Sequence, residues 1–100
     1  MILTSKEMLE SVKKQVEDAR KDLQKQKDEL ENLENQLKVE ERILIELKEK
    51  KNELVEVQEP IVIAVQGEIA MQKDKINELE MDIKLLAKKS EVLSRNTWNF

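Results

Sequence analysis

The chain has no cysteine, no histidine and no tyrosine, and only one glycine, one proline, one tryptophan and one phenylalanine. Each shortage removes a class of explanation. Without cysteine there is no disulfide framework and no thiol chemistry. Without histidine as well, there is no nucleophile–base pair and no soft metal site. The Glu-x-x-His motifs of a di-iron bundle are also missing. Gly67 stands alone, so no glycine-rich loop can cradle a phosphate. Two aromatics in 100 residues leave little bulk for an ordinary globular core. Carboxylates abound, for example Glu40 with Glu41 and Glu56 with Glu59, but on a helix surface they read as solvated groups. The expectation is a non-enzymatic chain with no cofactor and no metal.

Charge excludes more. Eighteen Lys and Arg are interspersed with 22 Asp and Glu, for a net charge of −4. No basic stripe is present to neutralise phosphates, and no basic region precedes the heptads, so no nucleic-acid partner is expected. The opening residues lack a positive segment followed by a long apolar core and do not read as a signal peptide. The most apolar run, Ile61 to Val65, falls far short of the roughly 20 residues of a membrane span. Cysteine-free composition is compatible with a reducing compartment, and the cytoplasm is the expected location.

What is present is a ladder of apolar residues in alternating steps of three and four. It runs Leu9, Val12, Val16, Ala19, Leu23, Gln26, Leu30, Leu33, Leu37, Glu40, Leu44, Leu47, Lys51, Leu54. This is a heptad repeat with Leu9, Val16 and Leu23 at a, and Val12, Ala19 and Gln26 at d. Such a seam stays buried only when the helix supercoils with another helix. Charged, Leu-rich, Gly-poor composition points the same way. Thr4 and Glu7 form a capping box ahead of the ladder, with Leu3 and Met8 placed as a hydrophobic staple. Nothing breaks the helix from there to about Gln58.

A second ladder runs Val62, Val65, Ile69, Gln72, Ile76, Leu79, Ile83, Leu86, Ser90, Leu93. The steps Lys51, Leu54, Gln58, Val62 join the two frames through a stutter, which locally unwinds a left-handed supercoil. Pro60 sits inside the stutter, where it removes a helix hydrogen bond and crowds the carbonyl of Glu56. Three courses are open there: a kinked rod, a new helix beginning at Pro60, or a reversal into a hairpin. A hairpin would set unequal arms together and has no glycine-rich turn, so the kinked or interrupted rod is preferred.

One local resemblance falls in this region. Val57-Gln58-Glu59-Pro60-Ile61-Val62-Ile63-Ala64-Val65-Gln66 resembles the end of the outgoing helix in the coiled-coil stalk of dynein heavy chains, where a Glu-Pro pair precedes small apolar residues. In that family a proline-containing entry to a microtubule-binding head follows. Here heptads continue to Leu93 instead, and no function is carried across.

The sequence thus predicts an all-α chain: a long coiled-coil helix forming a parallel homodimeric rod with a stutter and a kink or break near Pro60. Residues 4–58 form a first coiled-coil segment, 59–67 the stutter, 68–94 a second segment and 95–100 a tail. The dimer core comprises Leu9, Val12, Val16, Leu23, Leu30, Leu33, Leu37, Leu44, Leu47, Leu54, Val62, Val65, Ile69, Ile76, Leu79, Ile83, Leu86 and Leu93. Ile at a with Leu at d favours two parallel strands, and flanking pairs such as Glu68 with Lys73 and Lys75 with Glu80 attract in that orientation. Antiparallel pairing of the first helix is the main alternative. Gln26, Glu40 and Lys51 interrupt the core, and Gln26 reads as a tolerated polar layer.

Val39, Ile43 and Ile45 widen the apolar stripe off the seam, and Trp98 and Phe100 follow the last heptad. These five residues form a candidate surface for partner proteins. The expected role is dimerisation and scaffolding that holds two chains together and presents this surface. The alternatives are an antiparallel or hairpin coiled coil, or a helix donor in a heteromeric bundle.

Overall fold

A computed structural model of the chain describes residues 4–98. It contains two α-helices of nearly equal length, α1 (Ser5–Glu49, 45 residues) and α2 (Val55–Trp98, 44 residues), packed as a hairpin. The all-α fold stands as read from the sequence, whereas the apolar seam is filled by the chain's own two helices and not by the parallel second copy expected. The course of the chain through its middle also differs: it reverses after Glu49 instead of continuing as a rod through Pro60.

The reversal is built from a helix end and a helix start placed back to back. Lys51 adopts φ of 52°, the left-handed conformation that stops a helix. The Lys51 amide donates to the Lys48 carbonyl at 3.1 Å, and the Asn52 amide to the Leu47 carbonyl at 2.9 Å. These two bonds make a Schellman motif, with lysine where glycine is usual. Asn52 then caps the next helix: its Oδ1 accepts from the Leu54 amide at 2.9 Å. The amides of Val55, Glu56 and Val57 close a tight first turn onto Asn52, Glu53 and Leu54.

This turn replaces the stutter. The first frame ends at Leu47, and the second begins at Val55, seven residues before Val62. Lys51, placed in the core by the sequence, makes the turn. Leu54, placed in the dimer core, stands at the turn with 56% of its surface exposed. Pro60 lies inside α2, which passes through it without a break. The sequence overestimated Pro60 because the seam residues on either side of it, Gln58 and Val62, are both buried. Packing holds the helix where local propensity alone opposes it.

The contacts group into two compact units. One is Gln26–Lys75 and contains the reversal. Its core is Val62, Val65 and Ile69 from α2, with Gln58 and Gln72 buried beside them. Leu30, Leu33, Leu37, Leu44 and Leu47 of α1 are partly covered. The other unit comprises the stretches up to Lys25 and from Ile76. There Leu9, Val12, Val16 and Ile76 are buried, while Leu23, Leu79, Ile83, Leu86 and Leu93 are partly covered. The Glu7 amide donates to Thr4 Oγ1 at 3.1 Å, one of the two bonds expected of the capping box. Leu3 of the staple lies outside the described residues.

Candidate interaction surface

The polar residues in the seam meet one another. In the unit holding the turn, Gln58 Nε2 donates to the Glu40 carbonyl at 3.0 Å and to Glu40 Oε2 at 2.5 Å. Gln72 Nε2 donates in the same way to the Gln26 carbonyl at 2.9 Å and to Gln26 Oε1 at 2.8 Å. All four residues occupy d positions. Glu40 and Gln26 are two heptads apart on α1, as are Gln58 and Gln72 on α2, and the order is reversed. The two links therefore fix one antiparallel register. Gln58 and Gln72 are only 7% and 6% exposed. Among the described residues no buried side-chain nitrogen or oxygen lacks a partner. Gln26 is thus a paired group and not a merely tolerated one.

With the seam filled from within the chain, the outer surface holds what a partner can meet. Val39, Ile43, Ile45, Leu54, Val57, Ile61, Ile63 and Met71 are exposed in the unit with the turn, and Met8, Met81, Leu85 and Val92 in the other. Heptad positions divide the first seven between two flanks. Val39 and Val57 fall at c, and Ile43, Leu54 and Ile61 at g, on one side of the seam. Ile45 and Ile63 fall at b, on the other. Reversing one helix sets g opposite g and e opposite e. Lys48 and Glu59, both at e, form an ion pair of 3.6 Å. The g flank carries isoleucines where that exchange of charge would otherwise take place.

The sequence candidates divide between these flanks. Val39 and Ile43 are joined by Val57 and Ile61, whereas Ile45 faces the other flank. Sequence reasoning missed Val57 and Ile61 because they neighbour Ile43 only once the chain has reversed. Of the remaining candidates, the side chain of Trp98 and all of Phe100 lie outside the described residues.

The other unit carries an open groove of about 540 Å³ lined by Lys13, Arg20, Lys21, Ala87 and Ser90, among others. Lys21 is paired with Glu17 at 3.4 Å, and both are solvated. Among the described residues no three carboxylates converge as a metal site would require. Among the same residues, no helix is long and apolar enough to cross a membrane. No family model, no curated protein and no solved structure matches the chain.

Proposed function

We propose that the chain is a non-enzymatic scaffolding element whose helical hairpin presents an apolar flank to partner proteins in the cytoplasm. The observation that carries this reading is the exposed set Val39, Ile43, Leu54, Val57 and Ile61 on one flank of the turn unit. A self-contained hairpin has no internal need for large apolar side chains outside its seam, and contiguous exposed apolar surface marks interaction sites. A homodimer sharing the seam is not required, because each helix already has its partner within the chain. A second copy would instead have to meet this one through an exposed flank. Cells expressing tagged wild-type chain and the Ile43→Ser/Ile61→Ser variant provide the test. Partners recovered with the wild type and lost with an equally helical variant are expected. Identical recoveries from both would refute the reading.

A further inference from the structure

We infer that the flank of the turn unit receives a single amphipathic helix whose polar face is basic, completing a local three-helix bundle; this rests on the reading of that flank as a binding surface. Val57 and Ile61 lie one turn apart on α2, and Val39 and Ile43 one turn apart on α1, so each helix contributes an apolar rail. A third helix laid along two such rails covers them with residues at every third and fourth position. On the opposite flank the exposed ion pair of Lys48 with Glu59 joins the two helices at e, where the g flank carries isoleucines.

Charge selects the chemistry of the partner. At the c, f and g positions bordering the rails, Glu46, Glu49, Glu53 and Glu68 outnumber Arg42 and Lys50. The unit Gln26–Lys75 holds eight Lys and Arg against thirteen Asp and Glu. A helix with lysines and arginines beside its apolar stripe meets attraction along this rim, and one with glutamates meets repulsion. The net charge of this unit, shared by a second copy, disfavours the same flank of another molecule as the occupant.

The test uses the full chain and two synthetic helical peptides of about 18 residues, five turns, with the same leucine stripe, one with a lysine and arginine polar face and one with a glutamate face. Fluorescence anisotropy is expected to show the basic-faced peptide binding at least tenfold more tightly. Ile43→Ser/Ile61→Ser should weaken that binding at least tenfold, and Ile45→Ser/Ile63→Ser, on the other flank, should leave it unchanged. These side chains are exposed, so circular dichroism should show all variants equally helical. Equal binding of both peptides, or full binding by Ile43→Ser/Ile61→Ser, overturns the inference. So does sedimentation of the wild type as a dimer that Ile43→Ser/Ile61→Ser separates, which would make a second copy the occupant and leave the surface reading intact.

Discussion

Gln72 donates both to the backbone carbonyl and to the side-chain oxygen of Gln26, 46 positions earlier in the chain. An interior amide that finds two acceptors on one residue recognises that residue's place along the helix, and a slip by one heptad would leave it facing Leu33 in one direction and Ala19 in the other. Polar core residues of this kind lower stability and restrict register. The double substitution Gln26→Leu/Gln72→Leu should therefore raise stability, by about 1–3 kcal/mol, while relaxing specificity. Urea unfolding followed by sedimentation equilibrium checks both halves. A double variant less stable than the wild type, or equally specific in its assembly, would contradict the assignment.

Lys51 holds a left-handed backbone without the freedom of glycine. Lys51→Gly should stabilise the hairpin by about 1 kcal/mol, and Lys51→Val should destabilise it by a similar or larger amount. Thermal unfolding monitored by circular dichroism gives the sign of each. A lower midpoint for Lys51→Gly would show that the turn is made differently.

Gly67 sits inside α2, and a Cβ built there meets nothing within 4 Å. Gly67→Ala should add about 1 kcal/mol through helix propensity alone. A neutral or negative change in urea unfolding would contradict the open helical surroundings described for this position.

Pro60 leaves the Glu56 carbonyl without its usual helical donor. Pro60→Ala should stabilise the chain by up to ~3 kcal/mol, the general cost of an interior proline. Hydrogen exchange adds a local reading: the amide gained by Pro60→Ala should be protected along with its helical neighbours. Rapid exchange there would place a real break at this position.

The helices, their seam and the Thr4 cap were legible because heptad spacing and capping chemistry are local. The reversal was not, for a physical reason. Lys51 and Asn52 take the places where glycine and a stronger stop signal would be sought, while Pro60 draws attention to a point the helix crosses. Two clues lay in the pattern itself. Ending the first frame at Leu47 and starting the second at Val55 makes the arms equal. The polar d residues then fall at matching intervals, Gln26 and Glu40 against Gln72 and Gln58. The flank of Ile43 and Ile61 could be read only in part, since it is assembled by residues that the reversal brings side by side.

The turn also governs the order in which the molecule can close. Links nearest the reversal join residues few positions apart; Gln58 reaches back 18 positions and Gln72 reaches back 46. Each step outward begins from ends that the previous step has already brought near, so little additional loop-closure entropy is lost. Folding should thus spread like a zipper from Lys51 and Asn52, at rates typical of chains rich in local contacts and independent of protein concentration.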